Sequence, residues 1–242
     1  FVVAVLYSSV GHGGASGYLA VMSLTSYGLM ESGWLKQHAW FLNILVASLA
    51  FYHYRKEGFH DIKLTIPFIV ASIPMAFIGG YFFIDGAIYD LLLSLTLMWA
   101  AWRLYGSISI DKMNNTSPPT TLQAIPWGAG IGLASGIIGV GGGIFLSPIL
   151  LIKKWAKPKT IAATSAVFIW VNSMAGLAGA GASGQFNLDA EILIYFTMTV
   201  IVGGLIGSSY GAKIASQSLI QKLLVGILLI AAAKRLIELI IF

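Results

Sequence analysis

Cysteine is missing from the sequence altogether, which removes thiol catalysis, disulfides and thiolate metal sites together. Charge is scarce as well. Only 10% of the 242 residues are Asp, Glu, Lys or Arg, whereas a soluble domain carries about 25%, so the chain cannot clothe a water-exposed surface. The middle of every apolar run is free of Asp, Glu, Lys and Arg, and Asp85, Asp90, Asp189 and Glu191 all stand near run boundaries. An intramembrane carboxylate relay therefore has no obvious members, and a cation site lacks its usual ligands. A neutral or anionic ligand is favoured. Motifs of enzymes are lacking too: there is no HExxH, no GxSxG, and no Lys-Ser/Thr after a glycine run as a phosphate loop requires.

What the chain does have is apolar length. Hydrophobic residues make up 57%, and mean hydropathy is +0.85. Apolar segments cover 1–24, 37–54, 64–84, 88–105, 122–152, 160–181, 190–212 and 219–242, near the roughly 20 residues that a helix needs to cross hydrocarbon. "LLVGILLIAAA" is apolar on every side, unlike the alternating strands of a membrane barrel. The reading is an all-α polytopic membrane protein with the lipid bilayer as partner. The net charge of +5 comes from lysines at the ends of apolar runs, so no nucleic acid is implied. The chain opens on Phe1 and shows no signal peptide with a small-residue cleavage site, so its natural start is expected upstream.

Two stretches break the pattern in nearly the same words. "SSVGHGGASGYLAVM" spans 8–22 and "SGIIGVGGGIFLSPILL" spans 135–151. A shift of 128 lays Gly11, Gly13 and Gly14 on Gly139, Gly141 and Gly142, and Ile78-Gly79 on Ile206-Gly207. "AAWRLY" echoes "AAAKRLI" at a slightly larger offset, while Asn43 matches either Ser165 or Asn172. A polar linker, 106–121, separates a first repeat, 1–105, from a second, 122–242.

Charge distinguishes parallel from inverted repeats. If all eight segments cross, Lys and Arg divide seven against seven. If 1–24 and 122–152 enter and leave on one side, eleven face Lys36, Lys234 and Arg235, as the positive-inside rule demands. The expected fold is two inverted repeats, each of three transmembrane helices plus a glycine-broken re-entrant hairpin, with both termini outside.

Irregular backbone at membrane depth survives only where protein buries it or a cavity reaches it. Half-helices starting near Gly14 and Gly142 offer unpaired N–H groups and a positive dipole end, which suit an anion. Inverted-repeat transporters hold substrate between such ends at the midplane. The glycines also fit close helix packing, as at Gly132/Gly136 and Gly13/Gly17. His12, Ser16, Asn43, Thr164, Ser165 and Asn172 are the polar candidates. Ser and Thr compete by bonding their own helix carbonyls, the Asn amides by interhelical bonding, and His12 reads equally as substrate or proton ligand or as a neutral contact.

"GIIGVGGGIFLSPIL", "AATSAVFIWVNSMAGLAG" (162–179), "SVGHGGASG" and "LNILVASLAFYHYRKEG" (42–58) together resemble the TauE/SafE family of membrane permeases. The resemblance spans the whole chain and is strongest in the second half. It implies export or uptake of small sulfur-containing anions, sulfite or organosulfonates, across the bacterial cytoplasmic (inner) membrane. The positions carried over are Gly141, Gly142, Gly143, Thr164, Ser165 and Asn172, with Gly13, Gly14 and Asn43 in the first half. His12, Ala15 and Ser16 depart from a regular glycine run. The expectation is a secondary transporter without cofactor or metal and not an enzyme, with an anion channel on the same hairpins as the alternative; a homo-oligomer is allowed. On this view Gly142→Val abolishes transport yet leaves the protein in the membrane.

Overall fold

The computed structural model describes residues 1–106 and 116–213, with residues 229, 233 and 237. Apart from those three, the segment 219–242 lies outside the described residues, as do most of the linker and the side chains of Arg103, Lys112, Lys222, Lys234 and Arg235. The described chain is helical: α1 (Val2–Ser8), α2 (Ala15–Ser23), α3 (Ser32–Lys56), α4 (Ile62–Tyr81), α5 (Gly86–Gly106), α6 (Thr121–Ile138), α7 (Gly143–Ile152), α8 (Pro158–Ala182) and α9 (Ala190–Lys213), with a 3-10 turn at Ser26–Leu29. Among these, α4, α6, α8 and α9 are long and apolar enough to cross a membrane. Many apolar side chains point outward, among them Val70, Trp102, Leu122, Tyr195 and Met198, as in a protein whose solvent is lipid.

Local signals set the helix ends. Asp61 accepts the N–H groups of Lys63 and Leu64 to start α4, and Thr120 forms a capping box with Gln123 to start α6. Pro158 opens α8, where its missing N–H costs nothing. Gly139 ends α6 at φ +94, a left-handed turn that glycine takes without strain.

The central pair is α3 and α8, each of 25 residues, packed along one another. They run in opposite directions. Near the start of α3, Gln37 Oε1 accepts the Asn187 N–H (2.8 Å) and His38 Nε2 accepts that of Asp189 (3.1 Å), both just beyond the end of α8. At the other end Tyr54 packs with Ala162, Ala163 and Ala212. On α6, Gly128, Gly132 and Gly136 meet the carbonyls of Phe68, Ser72 and Ala76 on α4, turn for turn. Only glycine lets two backbones approach so closely, and dispersion then holds them.

The chain reaches and leaves the α6–α7 pair at one end of the molecule: the Ser117 N–H donates to the Lys154 carbonyl (2.9 Å). That same end carries Arg55, Lys56, Lys63, Lys153, Lys154, Lys157, Lys159 and Lys213. Among the described basic side chains only Lys36 lies toward the opposite end.

Candidate functional site

The two glycine breaks meet half-way along the central pair. Asn43 is the twelfth residue of α3 and Ile169 the twelfth of α8. A Cβ on Gly13 would strike the Asn43 amide and come to 3.0 Å from Ile169; one on Gly141 would strike the same amide and also reach Ile169 at 3.0 Å. Laid end on end, α3 and α8 bring Asn43 onto Ile169, between the two partners Ser165 and Asn172 that residue similarity offers.

Both helices that leave this point begin without a side-chain cap of their own. Gly14 precedes α2 at φ +103 and Gly142 precedes α7 at φ +83, the starts expected from the glycine runs. Asn43 bridges the breaks: its Oδ1 accepts the Ala15 N–H (3.0 Å), and its Nδ2 donates to Ser173 Oγ (3.1 Å). The first amide of α2 is therefore held by a neutral amide oxygen.

A narrow cleft of about 160 Å3, too tight for a water-sized sphere, runs past His12, Gly13, Gly14, Ser16 and Asn43 on one side and Val140, Ile144 and Ile169 on the other. Ser16 Oγ donates to the Tyr7 hydroxyl (2.9 Å). His12 reaches across to the second break, with Nε2 at 3.2 Å from the Gly143 carbonyl and 3.1 Å from Ser147 Oγ. Ser147 continues to Ser165 Oγ at 2.7 Å, which ties Ser165 to the cleft through one intermediary. Gly143 packs beneath Ile169 and the His12 ring, and Gly142 against Phe168 and Ile131.

Two expected residues stand apart. Thr164 accepts from Thr65 Oγ1 (3.2 Å), toward the basic end. Asn172 is fully buried, yet neither of its amide atoms has a hydrogen-bond partner among the described residues. Residue types alone missed Tyr7, Ser147, Ser173 and Lys36. Lys36 sits one turn inside α3, is 2% exposed, has no hydrogen-bond partner on Nζ among the described residues, and lies against Gly139. Tyr7 and the serines gave no signal, being ordinary in membrane helices, and Lys36 read as a boundary charge.

The sequence model of the family described as Sulfite exporter TauE/SafE matches residues 1–235. The chain belongs to the TauE/SafE family. One relative in it is the probable membrane transporter protein y4hK of Sinorhizobium fredii (strain NBRC 101917 / NGR234), 33% identical over 239 residues that cover 98% of this chain and 95% of the relative. Another is the probable membrane transporter protein YunE of Bacillus subtilis (strain 168), 25% identical over 189 residues, 70% of this chain and 66% of that protein. No solved structure matches. Membership makes this TauE/SafE chain a multi-pass member of a membrane transporter family, and its apolar helices agree.

Proposed function

We propose that this TauE/SafE chain is a secondary transporter that moves a small sulfur-containing anion, sulfite or an organosulfonate, across the bacterial cytoplasmic membrane. The observation that carries this reading is the convergence of two helix starts that have glycine as N-cap, at Gly14 and Gly142, half-way along α3 and α8. If α3 and α8 span the bilayer, that point lies near its midplane. Amide N–H groups and helix dipoles there favour an anion. The Asn43 amide, Ser16 and His12 complete the lining, with Gly13, Gly141 and Gly143 keeping the backbone within reach; Ser165 acts through Ser147. Thr164 and Asn172 join only if the helices rearrange.

The architecture we infer is two inverted repeats, 1–105 and 122–242, each with a re-entrant broken helix. Three observations support it. The central helices α3 and α8 are antiparallel. Residues on either side of α6–α7 bond to each other at one end. Contacts also recur in exchanged form: Gly79 meets the Leu133 carbonyl and Gly136, while Gly207 meets the Val5 carbonyl and Ser8, each partner displaced by 128. Positive charge at the end that carries Lys56 and Lys157 assigns that end to the cytoplasm. Alternating access then follows from rocking one repeat against the other. The tightness of the cleft favours such a carrier over an open channel.

Reconstituted protein should exchange labelled sulfite or sulfoacetate across a vesicle membrane, with saturation and counterflow. Large unitary currents, or no flux with any sulfur oxyanion, would overturn the proposal.

A further inference from the structure

The four histidines are distinguished by what their ring nitrogens face. His38 has Nδ1 at 2.7 Å from the Trp34 carbonyl and Nε2 accepting from the Asp189 N–H: one acceptor and one donor, which a single neutral tautomer satisfies. His53 meets the Leu49 carbonyl and Ser208 through Nδ1, and His60 meets Thr65 through Nε2. His12 differs. Its Nδ1 is 3.0 Å from the Val10 carbonyl and its Nε2 is 3.2 Å from the Gly143 carbonyl. Both carbonyls are acceptors only, a neutral imidazole has one N–H to give, and the third partner, Ser147 Oγ at 3.1 Å from Nε2, can donate or accept. The ring satisfies both carbonyls only when it carries two protons.

The surroundings permit both states. With one proton on Nδ1, Nε2 accepts from the Ser147 hydroxyl, which lies 2.7 Å from Ser165 Oγ. With a second proton on Nε2, the N–H turns to the Gly143 carbonyl, and Ser147 rotates its hydrogen toward Ser165. Among the described residues that line the cleft, the titratable neighbour is Tyr7 on α1, edge-on at 6.5 Å. From α3 comes the Asn43 amide, and from α7 and α8 come Ser147 and Ser165 through their hydroxyls. Among the described residues the cleft lining holds no carboxylate, lysine or arginine, so none of them gives an imidazolium here a fixed counter-charge. Its edge is 3.3 Å from where a Gly143 Cβ would stand, at the start of α7, where the anion is proposed to bind.

We propose that His12 is the proton-binding group of the carrier: it takes one proton from solvent onto Nε2 as the anion arrives and returns it to solvent on the far side, so anion and proton cross together. This rests on the transport reading above. The anion supplies the missing counter-charge, the imidazolium supplies a cation beside the helix start, and by linkage each raises the other's affinity by the same factor.

Two measurements test it. In vesicles that enclose a pH-sensitive dye and no anion substrate, net uptake of sulfoacetate, which stays ionised throughout the assay range, should acidify the lumen by about one proton per anion carried. In His12→Asn the protons moved per anion should fall to none. Wild-type flux without proton movement, or an unchanged ratio in His12→Asn, overturns the proposal. The second measurement needs no substrate. Nitrogen-15 histidine spectra of the intact protein in lipid, with the His12 signal assigned by its loss in His12→Asn, should show two N–H nitrogens at acidic pH and one after titration upward. A ring that stays singly protonated across that range overturns the proposal. If no sulfur oxyanion is carried but His12 titrates, the transport reading fails and the proton site stands.

Discussion

Asn43 keeps two glycine breaks in register with one side chain, which makes its neighbours interdependent. Gly13 has an ordinary backbone conformation, so the obstacle to a methyl group there is the Asn43 amide, with Ile169 next at 3.0 Å. Gly13→Ala should therefore lower thermal stability, and Asn43→Ala should cost about 1–3 kcal/mol by stranding the Ala15 N–H and Ser173. The double variant should lose less than the sum, since removing the amide makes room for the methyl; thermal melts of the four proteins decide this. Asn43→Asp separates fold from function. It keeps an oxygen for the Ala15 N–H but places negative charge among the proposed anion donors, so counterflow should fall more than the melting temperature does. Gly142→Val is less informative than the sequence suggests: its Cβ would lie 2.7 Å from Phe168, at φ +83, so lost transport would report packing and strain as much as ligand binding.

Along an element, glycines divide by what stands opposite them. Gly132 of α6 faces the Ser72 carbonyl of α4, whereas nothing lies within 4 Å of a Cβ at Gly130. Gly132→Ala should push α4 and α6 apart and lower the melting temperature. Gly130→Ala should be neutral or stabilising by up to about 1 kcal/mol, the helix-propensity difference. A matching loss in both would refute backbone contact as the role of Gly132. The breaks themselves were legible in sequence, because clustered glycines and an absent helix former cannot sustain a helix. The place of the second break was legible too, at the glycine run 139–143, which leaves 18 residues in α6 and 10 in α7; that the glycines of α6 would pack on α4 was not, because the partner helix is set by tertiary contact.

For the whole molecule the decisive property is which ends share a side. The natural absence of cysteine allows single reporters to be placed cleanly. Ser117→Cys and Lys153→Cys flank α6–α7 on the basic end, and Asn187→Cys marks the opposite end; all three side chains are exposed. In intact cells a membrane-impermeant maleimide should label Asn187→Cys alone, and in inverted vesicles the other two. Labelling of Ser117→Cys and Lys153→Cys from opposite sides would replace the re-entrant hairpin with a full crossing.

Composition, run length and glycine spacing determined a great deal unaided: a helical membrane protein, two interrupted segments 128 residues apart, and an environment poor in carboxylates. These are properties of local chain chemistry, because a helix in lipid must satisfy its own backbone wherever it forms. Partners were decided only in three dimensions. His12 reaches Ser147 across 135 positions, Asn43 reaches Ser173 across 130, and Lys36 is buried by a helix from the other half. A polar side chain in a membrane core takes whichever partner packing brings to it, and packing here follows from where glycines let backbones touch.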